Sequence, residues 1–139
     1  MDNAHRAAWD ALDEAKRGRV LARLAQASAA RALADRDLYA SNATLEPTVE
    51  VYGARRDGET LIVDYLFSWW EWCPAQSGSD WNYHCVYRGT ATLVGERYKL
   101  ERNDVEAVCR DYVHEYDEKN YDREAVLAEV RKRLMGSSG

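Results

Sequence analysis

The sequence predicts an α+β domain, and three observations carry that prediction. An alanine-rich N-terminal stretch (NAHRAAWDALDEAKRGRVLARLAQASAARALADRDLY) is built from good helix formers. Residues 49 to 100 then alternate apolar with polar side chains between turn-forming residues, the period of strands. From Asn103 onward the apolar positions recur every three or four residues, the period of a helix. Helix, antiparallel strands and helices in that order make an α+β fold. The expected architecture is an N-terminal helix or helix pair, a three- to four-stranded antiparallel meander and two C-terminal helices.

In the first element Trp9, Leu12, Val20, Leu24, Ala27, Ala34 and Leu38 mark one helical face. Gly18 weakens the middle, so two helices or one bent helix are expected. The alanines allow close approach of another helix. Packing on the chain's own sheet is favoured, with a dimer contact as the sharper alternative.

After SNATLEP the strands begin. Val49 and Val51 alternate with Glu50 and Tyr52, RRDGE turns, and LIVDYLFSWW runs extended. A three-residue loop, Arg56-Asp57-Gly58 with Gly58 left-handed, sets Val51 opposite Val63 and Val49 opposite Tyr65, which gives a coherent apolar face. Its cost is Glu50 beside Asp64 on the other face. Leu61, Val63, Tyr65, Phe67 and Trp69 then share the core side. Beyond PAQSGS, a third strand points Trp81, Tyr83, Cys85 and Tyr87 inward and Asn82, His84 and Arg88 outward. Thr90 to Val94 continues it or starts a fourth, and Gly95-Glu96 turns into a short strand, Arg97 to Leu100.

The last third reads as helical. Asn103 and Glu106 resemble a capping box, and Val105, Val108, Cys109, Tyr112, Val113 and Tyr116 follow as an apolar stripe. A second helix is expected from near Asn120 or Asp122, with Val126, Leu127, Val130 and Leu134 inward and Gly136 at its end. Residues 1–135 thus form a single domain, with 136–139 a flexible tail.

At 139 residues, 46% apolar and 31% charged, the chain can bury a core without disulfides or metals. No apolar run approaches the roughly 20 residues of a membrane span, and the N-terminus lacks a signal-peptide pattern. Three cysteines without CxxC spacing suit reduced thiols. A cytosolic protein is expected. The net charge of −5 is uneven: residues 1–43 are near neutral, whereas 101–124 hold nine acids against four bases. That balance argues against direct nucleic-acid binding and favours a protein partner with a basic surface.

Two contact surfaces stand out. Asp104, Asp111, Glu115, Glu118 and Asp122 fall at helical spacing, roughly 120° from the apolar stripe. An ordinary solvent face is the plain reading, and an anionic patch docking on a basic surface the functional one. The second is SWWEWCP, residues 68–74. Trp69 keeps core parity, but Trp70 and Trp72 fall on the opposite face with Leu66, His84 and Val86. A half-exposed sheet should be polar there, so something must cover this aromatic patch. Helices of the same chain are the first choice, and an interface the second.

No metal site, cofactor or catalytic residue is assigned. Cys73, His84, Cys85, Cys109 and His114 are soft donors, but their spacing does not match zinc. Serine-hydrolase elbows, phosphate-binding glycine loops and HExxH are missing from the chain. A small enzyme using Cys73 and His84 is the alternative from another class.

A short acidic single domain, an aromatic sheet (SWWEW, DWNYH), an acidic tyrosine-bearing segment (CRDYVHEYDEKNYDRE) and no catalytic motif together resemble a known group. These are the small anti-CRISPR inhibitors that phages and other mobile elements direct at CRISPR–Cas systems, those against type I in particular. The resemblance rests on size and composition and transfers no site residue. It implies a non-catalytic binder of the surveillance complex or of its helicase-nuclease, often a homodimer, acting in the host cytosol. Toxin-immunity proteins of bacteria have similar composition.

Overall fold

The computed structural model describes residues 4–35, 47–73 and 81–136. Leu38, the PAQSGS loop and the last three residues lie outside them. So do the side chains of Trp72, Cys73, Trp81, Glu115, Tyr116 and Glu118. The elements run α1 (Ala4–Asp10), α2 (Glu14–Asp35), β1 (Thr48–Asp57), β2 (Thr60–Cys73), β3 (Trp81–Val94), β4 (Lys99–His114), a 3-10 turn Glu115–Asn120 and α3 (Arg123–Gly136). The strands form one antiparallel sheet in the order β1-β2-β3-β4. The α+β class holds, with helices at both ends of the chain. Among the described residues no helix is long and apolar enough to cross a membrane.

The break between α1 and α2 falls at Ala11–Asp13 rather than at Gly18. The reason is a cap: Asp13 Oδ1 accepts the Lys16 N–H at 2.8 Å and starts a new helix. Gly18 sits inside α2 as an exposed residue. The buried stripe of α2 is Val20, Leu24, Ser28 and Ala32. Ala27 is half-buried and Ala34 exposed, so Ala34 leaves the predicted face.

The strand parity of β2 and β3 is as the alternation predicts. Leu61, Val63, Tyr65, Phe67 and Trp69, with Tyr83, Cys85 and Tyr87, join Trp9, Leu12, Val20 and Leu24 in one core under α1 and α2. The β1 register differs from the expected one by two residues: Val51 pairs with Tyr65 and Val49 with Phe67. The hairpin is the tighter Asp57-Gly58-Glu59-Thr60, with Gly58 left-handed at φ 61°. A bulge at Tyr52 restores the apolar parity that this short loop would otherwise reverse. Glu50 consequently lies across from Leu66 rather than Asp64, and Arg131 of α3 neutralises it at 2.5 Å.

The larger correction concerns residues 99–114. They form the long strand β4, paired with β3 from Val94↔Lys99 to Trp81↔His114, and not a helix begun at Asn103. A bulge at Val108 explains the misleading period, because Val86 pairs with Cys109 while Tyr87 pairs with Ala107. One extra residue switches the facing of everything after it. Val105 thus faces the α1/α2 side, while Cys109 and Val113 face the other. Two period-2 runs joined out of phase imitate a 3–4 spacing. The β-branched and aromatic content of VEAVCRDYV agrees with a strand.

The C-terminal helices accordingly reduce to α3 alone. Asp122 caps it, accepting the Ala125 N–H at 3.1 Å. Leu127, Val130 and Leu134 press onto Leu66, Val86, Tyr52, Val108 and Cys109, closing the second face of the sheet. Val130 is 1% exposed, and burial of such a side chain contributes roughly 1.5–3 kcal/mol. The sheet is therefore sandwiched between α1/α2 and α3.

Candidate functional site

For the described residues of the aromatic patch, the structure answers what lies over them. Leu66, His84 and Val86 are buried beneath α3 of the same chain. Trp70 is half-buried at the start of that helix: Arg123 lies 4.8 Å above its ring, and the Tyr121 and His84 rings lie 5.9 and 6.1 Å away.

Beneath Trp70 a polar chain links three elements. The Tyr121 hydroxyl donates to Asp111 Oδ2 at 2.5 Å, and His84 Nδ1 sits 2.9 Å from the same hydroxyl. Tyr121 has one proton and gives it to Asp111, so His84 must donate from Nδ1. The Cys109 thiol also donates to Asp111 Oδ2, at 3.3 Å. Burial holds the His84 pKa below its ordinary value, and the Arg123 charge adds to this against the opposing pull of Asp111 and Glu124. Burial and the hydrogen bond to Asp111 raise Tyr121 and push Cys109 up to about 11. The imidazole is therefore neutral and the other two protonated near pH 7. With His84 only 2% exposed, the arrangement works as a latch between sheet and α3.

The predicted acidic face does not form as a helical stripe. Asp104 and Asp111 stand on β4, opposite Thr90 and His84 and so on one sheet face. Asp104 pairs with Arg102 at 2.7 Å, Asp111 is consumed by the latch, and Asp122 caps α3. The side chains of Glu115 and Glu118 lie outside the described residues. The pairing proposed between Cys73 and His84 is spread out by the register, which sets Cys73 against Trp81 and His84 against Trp70. Among the described residues no group of three or more His, Cys, Asp or Glu could hold a metal.

What remains open is the border of the sheet. β4 pairs with β3 on one side and with no described strand on the other. Its first half is guarded as edge strands usually are, by Glu101, Arg102, Asp104 and Glu106 and a register irregularity. Its second half, AVCRDYVH, has only Arg110 and the latched Asp111 as full charges. There Tyr112 is 60% exposed, the exposed large hydrophobic of the described residues. Its ring meets Tyr83 edge-on at 4.1 Å, and the Arg110 guanidinium lies 5.1 Å from the Tyr83 centroid. Tyr and Arg over a buried aromatic is the composition of interface hot spots.

From the sequence, Tyr112 is expected to face inward on a helix, Arg110 has no role, and Tyr121 interleaves with the acids of the anionic face; the structure instead seats Tyr121 against His84 and Asp111. The β-branched and aromatic content of VEAVCRDYV was the available signal. No protein-family model, curated protein or solved structure matches this chain, so every role assigned here rests on its own geometry.

Proposed function

We propose that this protein is a non-catalytic, cytosolic binding protein that inhibits a nucleic-acid-processing complex by protein–protein contact, in the manner of the anti-CRISPR inhibitors it resembles. The carrying observation is Tyr112, exposed beside Arg110 at the unguarded half of an end strand. Such an edge can accept an extended segment of a partner, with backbone hydrogen bonds supplying affinity and the aromatic site supplying specificity. Exposed acids stand on this strand and just after it, namely Asp104, paired with Arg102, Glu106, paired with Arg88, and Asp117 in the 3-10 turn. They favour a basic partner surface and speed encounter with it. Proteins that handle nucleic acid carry such surfaces, and a type I surveillance complex or its helicase-nuclease is the partner of choice.

The test is a type I CRISPR–Cas interference assay in cells, paired with binding to the purified surveillance complex and helicase-nuclease. The chain should relieve interference. Tyr112→Ala should weaken binding about 30-fold, the equivalent of a hot-spot loss near 2 kcal/mol, while lowering the unfolding midpoint by only about 2–5 °C for the lost ring contact with Tyr83. Full interference in the presence of the chain, or full potency of Tyr112→Ala, would remove this reading.

A further inference from the structure

The far end of the sheet carries a different kind of site. Residues 15–34 of α2 hold Lys16, Arg17, Arg19, Arg23 and Arg31 and no carboxylate, within a chain of net charge −5. Arg17 is tied to the Trp9 and Asp10 carbonyl oxygens, and Arg31 lies over the Tyr87 ring. Arg19 and Arg23, four residues apart on one helix face, stay exposed, and like charges at that spacing repel.

Arg97 meets them from the turn 95–98 between β3 and β4. Together with Ala22 and Gln26 the three arginines line a surface groove of about 490 Å³ that has no acidic lining residue. Among the described residues none of the three forms an ion pair. The turn that presents Arg97 is firmly held. Gly95 N–H donates to the Glu59 carbonyl at 3.1 Å, and Tyr98, 5% exposed, anchors its ring in the core. Tyr98 achieves this with a left-handed φ of 51°, uncommon for a residue with a side chain. Backbone strain next to a converging cation cluster is a feature of ligand clamps.

We propose that this groove binds a compact polyphosphate anion, of the kind carried by nucleoside di- and triphosphates. A single guanidinium fork already saturates a carboxylate, which offers two oxygens in one plane. Three forks arriving from a helix and an opposing turn suit the non-planar oxygens of phosphoryl groups. The groove has the volume of a small-ligand site. A long nucleic acid would extend beyond the groove over a protein of net negative charge, whereas a short anion meets only the arginines.

The experiment is calorimetric titration and thermal unfolding of the full chain with sodium tripolyphosphate, ATP and a single-stranded oligodeoxynucleotide at low salt. Tripolyphosphate and ATP should each saturate with a rise in midpoint. Equal affinity would identify the phosphate tail as the whole ligand, and tighter ATP binding would add the nucleoside. Arg97→Gln should weaken binding by about tenfold or more, and Arg23→Gln likewise. Arg133→Gln, an exposed arginine on α3, should leave it unchanged. A non-saturating rise, a rise equal in Arg97→Gln and wild type, or tighter binding of the oligonucleotide would overturn the proposal. The groove lies roughly 35 Å along the strands from Tyr112, so failure here is separable from failure of the inhibitor reading.

Discussion

Replacing Tyr121 with phenylalanine isolates the latch. The ring and its contacts with Trp70 and His84 remain, while one oxygen is lost. That oxygen donates to the Asp111 carboxylate and receives the His84 Nδ1–H. A hydrogen bond to a charged group is worth about 1.5–3 kcal/mol, and an orphaned buried donor costs about 1–3 kcal/mol. Asp111 keeps the Cys109 donor, and Tyr121 is half-buried, so water recovers part of both. A net loss of about 2–3 kcal/mol follows. With an unfolding entropy near 2.1 cal/mol/K per residue, 139 residues convert each kcal/mol into about 3.4 °C, so the midpoint should fall by roughly 7–10 °C. Urea unfolding of Tyr121→Phe, Asp111→Asn and the double variant would measure this. The pair should be non-additive by about 1 kcal/mol or more. A loss within about 0.5 kcal/mol, or strict additivity, would refute the latch.

The latch also sets a pH window. The folded-state pKa of His84 is lowered, so its contribution is present above the ordinary value of 6.5 and is lost as pH falls below it. The folded-state pKa of Cys109 is raised, so its contribution is present below the ordinary 9.0 and is lost as pH rises toward about 11. Denaturant midpoints should be flat between about pH 7 and 9, and His84→Gln should shallow the acid limb; an unaltered limb would contradict the assignment. In the core, a Cβ on Gly89 would stand 2.6 Å from the Tyr65 ring, which is fully buried and held by Asn103 at 2.7 Å. Gly89→Ala should therefore cost about 1–3 kcal/mol, whereas Gly18→Ala, with open space on an exposed helix face, should gain about 0.5–1 kcal/mol; equal effects on the unfolding midpoint would show the packing argument wrong.

The parts of this fold that could be read from the sequence are those in which one period runs uninterrupted. β2 and β3 alternate without a break over the stretch that holds the tryptophans, so the split between Trp69 and Trp70 followed from parity alone. α3 was readable for the same reason, with Leu127, Val130 and Leu134 on a helical stripe. Where a bulge intervenes, the period is lost: Tyr52 displaces the β1 register, and Val108 turns a strand into a convincing imitation of a helix. The candidate surface was hidden by the same event, since Tyr112 points inward on that imagined helix and outward on the real strand. The latch joins His84 to Tyr121 across 37 residues, a contact that only the pairing of β3 with β4 and the return of α3 create. The arginine groove was hidden by averaging, because the cations of α2 are balanced by acids elsewhere in residues 1–43, which read as near neutral. Its third member, Arg97, arrives by way of the β3–β4 turn.

Backbone hydrogen exchange of the chain, free and mixed with the type I complex proposed as its partner, tests the central claim most directly. An added strand or segment at the open edge would protect the amides of residues 107–114 that face away from β3, and protection would disappear with Tyr112→Ala. Protection confined to α2 or α3, with residues 107–114 exchanging as in the free protein, would contradict the assignment of β4 as the partner-binding edge.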